Sequence, residues 1–446
     1  MAKITFLGAG STVFIKNIIG DSMCREALKE SEVALYDIDP VRLDESKRML
    51  DTLNANINEG RMTIKPYLGV ANRKDALRGA SYIVNAIQVG GYEPCTVLDF
   101  EIPKKYGLRQ TIADTLGIGG IFRGLRTAHV MLDIAKDIEE VCPTAWLLNY
   151  TNPMSIVTGS VLHGSNVKAV GLCHSVQVCA DTLLNKSLDM KKNMDNIQWK
   201  TAGINHMGWL LEITENGKDL YPEIKELAAK KVLEARKEGA EKFGDMIRLD
   251  MMRNFGYYIT ESSEHAAEYY PYWLKSKYPE FVEEFNIPLD EYPRRCIKQI
   301  EGWRKQASEF IGNPELKHER THEYGSLIME AMETDVPARI GGNVVNNGII
   351  TNLPKDAIVE VACMIDKNGV QPTYVGELPL QLAALNRTHI NVHSMVIDAA
   401  LNLNKDSIYQ AAFLDPHTST ELSLDTIREM CDEFLDVEKD WLPEYK

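Results

Sequence analysis

A cysteine and a histidine stand side by side at Cys173 and His174, directly after a short apolar run at residues 167–170. That run predicts a buried strand, and the spacing of residues 176–188 predicts a helix. Both side chains are therefore expected at the carboxyl end of a strand, where open α/β sheets bind their ligands. A thiolate and an imidazole can hold a soft or borderline divalent metal, and His206 is a second candidate ligand. Each residue alone is equally well explained by packing, so the metal hypothesis depends on the rest of the chain.

A glycine-containing turn lies between a strand predicted at residues 3–7 and a helix predicted to about residue 29. Gly8 permits a tight turn, and Gly10 lets the backbone approach a pyrophosphate at the helix N-terminus, where Ser11 and Thr12 are also expected to bind the cofactor. This is the beginning of a dinucleotide-binding unit, although Val13 replaces the third glycine of the usual motif.

Acidic residues follow the second predicted strand, at residues 33–36. Asp37 can accept a hydrogen bond from a ribose 2′-hydroxyl and repel a 2′-phosphate, which favours NAD over NADP. Asp37 and Asp39 could instead cap the following helix, and we expect one of the two to do so.

Polar residues also end the strand predicted at residues 146–148. Asn149 and Asn152 are expected close to Cys173, because the carboxyl ends of parallel strands meet at one edge of a sheet. A glycine-rich, apolar segment at residues 110–120 is predicted to be a loop that covers a cofactor. A long amphipathic helix is predicted after it, at residues 123–140.

Strands and helices alternate up to about residue 195, which predicts a parallel sheet with crossover helices. Beyond that point, two strands joined near His206 are predicted at residues 198–203 and 208–214. Helices, an aromatic and acidic stretch at residues 256–270, and valine-rich strands at residues 339–364 follow. The predicted fold is α/β, with a Rossmann-like NAD-binding domain at residues 1–195. A mixed α+β domain at residues 196–446 is expected to bind substrate and form oligomer contacts.

The composition narrows the classes of partner. A chain of 446 residues with a net charge of −15 argues against nucleic acids and anionic membranes as ligands. Eight cysteines without paired spacing, and no expected secretion leader or membrane span, predict a protein of the reducing cytoplasm. Two functions fit these residues: an enzyme that uses NAD and a metal, or an NAD-binding redox sensor without catalysis.

Longer motifs occur along nearly the whole chain, including ITFLGAGST, ALYDIDP, QTIADTLGIGGI, LNYTNPM, GLCHSVQ, GINHM, GYYITESSEHAAEY, PLDEYPRRC and LDPHT. On these motifs the chain resembles the NAD- and manganese-dependent glycosidases of glycoside hydrolase family 4, an exception to the two-carboxylate scheme of other glycosidases. The resemblance implies oxidation of the sugar at carbon 3, loss of the carbon 2 proton and elimination of the glycosidic oxygen. Water then adds and the hydride is returned, so NAD is not consumed.

The resemblance also implies roles for individual residues. Cys173 and His206 would hold the metal, and Asn149 and Asn152 would bind sugar hydroxyls or the metal-bound oxygens. His174 would protonate the leaving oxygen or, equally, orient a metal-bound water; 6-phosphoglycosidase relatives carry an aspartate there, so this chain departs from them. Asp114 would raise the basicity of a tyrosine that removes the carbon 2 proton. That base is predicted to be Tyr258, and its rivals are Glu261, Glu264, His265 and Tyr269.

The expected substrate is a terminal, non-phosphorylated α-galactoside. After Tyr92 the chain has Glu93-Pro94-Cys95, with no arginine where relatives that act on 6-phosphorylated sugars carry one. An α-galacturonide or an α-glucoside is the alternative substrate, and a plain metal-dependent NAD dehydrogenase is the alternative activity. The relatives imply a homo-oligomer, either a dimer or a tetramer.

Overall fold

The computed structural model describes the backbone of all 446 residues and every side chain except those of Thr12, Arg304, Lys305 and Ser308. The part played by the Thr12 side chain, predicted above to bind the cofactor, therefore lies outside the described residues.

The N-terminal half alternates strands and helices as predicted. Its elements are β1 (Lys3–Leu7), α1 (Thr12–Met23), β2 (Glu32–Asp37), α2 (Pro40–Asn58), β3 (Thr63–Leu68), α3 (Arg73–Leu77), β4 (Tyr82–Asn85), α4 (Val97–Lys105), α5 (Gly117–Val141), β5 (Trp146–Asn149), α6 (Met154–Gly164), β6 (Lys168–Gly171) and α7 (Ser175–Asp181). The strands pair in parallel in the order β3-β2-β1-β4-β5-β6, which confirms the Rossmann-like sheet.

The C-terminal half mixes strands and helices. Its elements are β7 (Ile197–Ile204), β8 (Met207–Glu215), β9 (Lys218–Asp219), α8 (Tyr221–Ala235), α9 (Met246–Phe255), β10 (Tyr258–Ile259), α10 (Ser263–Tyr269), α11 (Phe281–Glu284), α12 (Glu291–Ile311), α13 (Tyr324–Thr334), β11 (Ala338–Val345), β12 (Ile358–Asp366), β13 (Gly369–Pro372), α14 (Leu380–Asn402), α15 (Lys405–Leu414), α16 (Pro416–Glu421) and α17 (Leu424–Val437). β7 and β8 form an antiparallel hairpin whose two-residue turn is Asn205-His206, as predicted.

One sheet continues through both halves. β11 joins β6 in antiparallel orientation through Asn343 and Gly171, and the order then runs β11-β12-β7-β8-β10. The hydrophobic core is shared as well, because Phe122 and Ile156 of the first half pack with Val396 and Phe434 of the second. The boundary predicted at residues 195 and 196 stays a prediction, since neither the sheet nor the core is interrupted there.

The glycine-rich segment differs from its prediction. Helix α5 begins at Gly117, so the expectation of a loop over residues 117–120 was wrong, and the irregular part is residues 110–116. Every residue from 110 to 120 is buried. The glycines therefore allow close packing at the beginning of helix α5. A sequence of small apolar residues does not show whether the segment forms such a packed helix start or a mobile loop.

Candidate active site

The turn between β1 and α1 is shaped for the close approach of a ligand. Gly8 has φ +83°, and a Cβ built on it would lie 2.7 Å from the carbonyl oxygen of Ala86. A Cβ on Gly10 would lie 2.9 Å from Asp37 Oδ2. Positions 8 and 10 therefore have no room for a side chain. The exposed backbone lies at the N-terminus of α1, where N–H groups and the helix dipole favour an anionic phosphate.

The two aspartates after β2 have separate tasks. Asp39 is the N-cap of α2 and accepts hydrogen bonds from the amides of Val41 and Arg42 at 2.9 and 3.1 Å. Asp37 accepts instead from the Gly10 amide, at 2.6 Å, and from the Asp39 amide, at 2.9 Å. The cap expected for one of the two is thus Asp39, and Asp37 is the carboxylate that lies against the glycine turn.

A cleft of about 310 Å³ opens at the carboxyl ends of β1, β4, β5 and β6. It begins at the glycine turn and contains predicted residues together with residues that were not predicted. Its lining includes Ser11, Gln88, Asp114, Arg123, Tyr150, Asn152, Cys173, His174 and Tyr292.

Three metal-ligating side chains meet beside this cleft. Cys173 follows β6, His206 lies in the β7–β8 turn, and Glu261 follows β10; one donor atom from each lies within 4.8 Å of the others. Burial lowers the pKa of His206, but Cys173 and Glu261 outweigh this effect and raise the pKa to about 10. Burial also raises the pKa of Glu261, yet the nearby histidines bring it below its usual value. A site that draws a proton onto a buried imidazole is suited to a divalent cation, and a cysteine, a histidine and a carboxylate fit such an ion.

A second group lies against the first. Asp114 Oδ1 is 3.5 Å from His265 Nε2, and the His265 ring stacks edge-on against His206 with 4.8 Å between ring centres. Burial would raise the pKa of Asp114, but the His265 contact, Arg123 and His206 hold it well below its usual range, so Asp114 is ionised. Among the described residues, His265 Nε2 is a buried nitrogen without a hydrogen-bond partner. The pair can therefore take up or pass on a proton.

The structure does not bring the Tyr258 hydroxyl into this cluster. Tyr258 is fully buried on β10, its hydroxyl donates to Asp245 Oδ2 at 2.7 Å, and Arg248 lies over its ring. Two of its rivals are closer to the metal donors: His265, and Tyr269, whose hydroxyl lies 3.3 Å from His206 Nδ1. The base role of Tyr258 stays a prediction that this geometry does not favour. The sequence could not show which aromatic residue of the stretch lies close to the metal donors.

The fourth base rival, Glu264, is directed outward. Its Oε1 lies 2.9 Å from Arg295 Nη2, and the same arginine also pairs with Glu291. This carboxylate is thus engaged at the surface of α10, apart from the cleft lining.

His174 has a partner that the sequence did not reveal. It stands at the beginning of α7 with about half of its side chain exposed, and its Nε2 lies 2.6 Å from Glu323 Oε2. The bond to Glu323 raises the pKa of His174 above its usual value, which favours the protonated imidazole. Because the two residues are 149 positions apart, no local pattern could have paired them.

The two asparagines after β5 behave differently. Asn149 is buried and satisfied: it accepts from Asn85 Nδ2 at 2.8 Å and donates to Thr158 Oγ1 at 3.1 Å. Asn152 lines the cleft, and its Oδ1 is buried without a hydrogen-bond partner among the described residues. Asn152 is therefore available to a ligand, whereas Asn149 braces the strand ends. The cleft thus has a glycine turn that fits a dinucleotide and a donor set beside it that fits a metal. Its unpaired Asn152 oxygen fits a hydroxyl group of a polyhydroxylated substrate.

None of the helices, over the residues that the structure describes, is long and apolar enough to cross a membrane.

Comparisons with known proteins agree with this arrangement. The model of the Family 4 glycosyl hydrolases matches residues 3–190, and that of the Family 4 glycosyl hydrolase C-terminal domain matches residues 201–418. The chain is 57% identical to an alpha-galactosidase of Bacillus subtilis (strain 168), and the match covers 100% of both chains. It is 33% identical to an alpha-galactosidase of Rhizobium meliloti (strain 1021), covering 99% of this chain and 89% of that protein.

Solved structures share the fold. The Bacillus subtilis protein lplD is similar with a TM-score of 0.85 and 26% identity, over 98% of this chain and 100% of that one. A 6-phospho-alpha-glucosidase from gut microorganisms, crystallised with NAD and Mn²⁺, has a TM-score of 0.80 and 21% identity, with 100% of both chains covered. At that identity the second likeness concerns the fold alone.

Proposed function

The chain belongs to family 4 of the glycosyl hydrolases, and on that premise we propose that it is an α-galactosidase. Its substrate is a terminal, non-phosphorylated α-D-galactoside, and its cofactors are NAD and a divalent metal such as Mn²⁺. The observation that carries the proposal is the convergence of Cys173, His206 and Glu261 beside a cleft that begins at the glycine turn. Two α-galactosidases among the relatives support the galactoside. The glycine turn with Asp37 supports NAD, and the donor set of Cys173, His206 and Glu261 supports the metal.

The bound groups have residues to hold them. Gly8, Gly10 and Asp37 would hold the dinucleotide, while Cys173 and His206 would hold the metal with Glu261 as a third donor. When bound, NAD supplies reversible hydride acceptance at carbon 3 of the sugar, and the metal supplies Lewis acidity at the neighbouring sugar oxygens.

Protons are handled by two pairs of side chains. Once carbon 3 of the sugar is a ketone, the carbon 2 proton is acidic enough for a carboxylate or an imidazole to remove. We assign that role to the pair of Asp114, which lines the cleft, and His265, whose Nε2 lies 3.5 Å from Asp114 and is buried without a hydrogen-bond partner among the described residues. His174, whose pKa is raised by its bond to Glu323, donates to the departing glycosidic oxygen.

Substrate hydroxyls need hydrogen-bond partners inside the cleft. Asn152 offers an unpaired amide oxygen there, and Asn149 holds the neighbouring strand end in place.

We also propose that the protein works as a homo-oligomer in the reducing cytoplasm. All eight cysteines are free, and the metal site needs the Cys173 sulfur in reduced form.

The test is hydrolysis of melibiose in D₂O by the purified protein with NAD, Mn²⁺ and a thiol reductant. Deuterium is expected at carbon 2 of the released galactose, because the proton removed there is replaced from solvent, and NAD should not be consumed. Full activity after dialysis and chelation, or no deuterium at carbon 2, would refute the mechanism. Faster turnover of an α-galacturonide or an α-glucoside would identify the alternative substrate, and net reduction of NAD would identify a dehydrogenase.

A further inference from the structure

A buried glutamate on α10 holds the backbone of the segment that carries Asp114. Glu268 is 2% exposed, and its two oxygens accept three backbone N–H groups. Oε2 accepts from Thr111 at 2.7 Å and from Ile112 at 3.1 Å, and Oε1 accepts from Ala113 at 2.9 Å. None of the roles assigned above uses this carboxylate, although burying one is costly.

The segment that Glu268 holds needs an external support. Ala113 has φ +50°, in the left-handed region that disfavours residues with a Cβ. Consecutive N–H groups that point into one concavity form a nest for hydrogen-bond acceptors, and here the Glu268 carboxyl oxygens occupy it, although burial raises the pKa of Glu268 to about 7 against these bonds. A second tie comes from Thr111 Oγ1, which donates to the Glu264 carbonyl of α10 at 2.6 Å.

Both sides of the active site meet at this contact. The held segment belongs to the N-terminal half and leads directly into Asp114. Helix α10 belongs to the C-terminal half and carries His265 and Tyr269 on the same turns as Glu268. The separation of 3.5 Å between Asp114 and His265 therefore depends on how this segment is docked onto the helix.

We propose that Glu268 is a positioning residue: by binding the amides of residues 111–113 it sets Asp114 against His265 for removal of the carbon 2 proton. The inference rests on the proposed function, since it names the step that this placement serves. Glutamine cannot replace Glu268, because its amide group would turn a donor toward N–H groups that can only donate.

The experiment compares wild-type enzyme with Glu268→Gln on an α-galactoside that carries hydrogen or deuterium at carbon 2. Misplacing Asp114 should lower kcat by about 10- to 100-fold while KM changes little. It should also increase the isotope effect at carbon 2, because that step becomes slower than the others. Binding of NAD and of Mn²⁺, measured by calorimetry, should not change. A purely structural role would reduce the amount of folded enzyme and leave the isotope effect as it is.

Two further variants keep the test decisive. Thr111→Val removes the other tie between the segment and α10 at nearly the same volume, and it should give a smaller change of the same kind. Asp137→Asn removes a carboxylate on α5 that pairs with Arg73, and it should alter neither kcat nor the isotope effect.

Failure of the inference can be distinguished from failure of the proposed function. A wild-type enzyme without solvent exchange at carbon 2 would refute the function. An unchanged isotope effect in both Glu268→Gln and Thr111→Val would overturn the role of Glu268. A crystal structure of Glu268→Gln in which Asp114 keeps its distance from His265 would overturn it as well, whatever the reaction.

Discussion

Replacing Glu438 by glutamine is expected to stabilise the folded protein, although it removes a charged partner of a buried arginine. Arg126 is 1% exposed; its Nη2 lies 2.5 Å from Asp99 Oδ2 and its Nη1 lies 3.1 Å from Glu438 Oε1. One guanidinium cannot neutralise two buried carboxylates. Asp99 binds Arg126 through both oxygens, although burial raises the pKa of Asp99 as well. Burial raises the pKa of Glu438 to about 8, against the opposing effect of Arg126.

The magnitude follows from linkage between proton binding and folding. The unfolded chain ionises this glutamate near pH 4.3, so at neutral pH folding must bind a proton, which costs roughly 3–4 kcal/mol. Since the folded pKa is raised, the contribution of Glu438 to stability is fully present below about pH 4 and is lost as the pH rises toward 8. Glutamine keeps an acceptor for Arg126 and binds no proton. Glu438→Gln should therefore raise the free energy of unfolding by roughly 2–3 kcal/mol at pH 7.5 and by much less near pH 4.5.

Urea unfolding followed by circular dichroism at pH 4.5 and pH 7.5 measures this difference. Glu433→Gln is the matched control, because Glu433 lies on α17, the helix that ends just before Glu438, but pairs with Lys105 and Tyr106 near the surface. The control should change the midpoint little at either pH. A Glu438→Gln protein less stable than wild type at pH 7.5, or a difference that does not depend on pH, would show that Glu438 is charged in the folded protein.

Three further outcomes are expected. Cys173→Ser should bind Mn²⁺ far more weakly by calorimetry and lose activity while its circular dichroism spectrum is unchanged; full activity would remove Cys173 from the metal site. Tyr258→Phe should keep most of the activity and Asp114→Asn should lose it, because the Tyr258 hydroxyl is bound to a buried carboxylate away from the cleft; the reverse result would restore Tyr258 as the base. Burial lowers the pKa of His393 to about 3, so below pH 6.5 the unfolded chain gains a proton that the folded protein excludes. His393→Gln should therefore lose stability less steeply than wild type between pH 6 and pH 4, by about 1.4 kcal/mol per pH unit, in urea titrations; equal slopes would contradict the assignment.

The local sequence was sufficient to predict the features that a few neighbouring residues determine. The short, mostly apolar run before Cys173 is typical of a strand buried on both faces, so its carboxyl end could be located from sequence. The turn at Gly8 and Gly10 was recognisable because only glycine permits the positive φ and the close backbone approach found there. The sequence predicted that one of Asp37 and Asp39 caps helix α2 and that the other is directed toward a ligand. It did not show which aspartate has which role.

The tertiary structure decided everything that depends on segments far apart in the chain. Glu323 reaches His174, and Glu268 reaches the amides before Asp114, across 149 and more than 150 positions. A side chain near a strand end can also point to either side of the sheet. Asn152 is open to the cleft, whereas the Tyr258 hydroxyl is hydrogen-bonded to Asp245. The sequence by itself determined which residue types stand at the strand ends, because backbone conformation and burial are set over a few neighbouring residues. Which of those side chains meet, and with what protonation, was decided by the packing of the two halves, because charge interactions depend on distance in space.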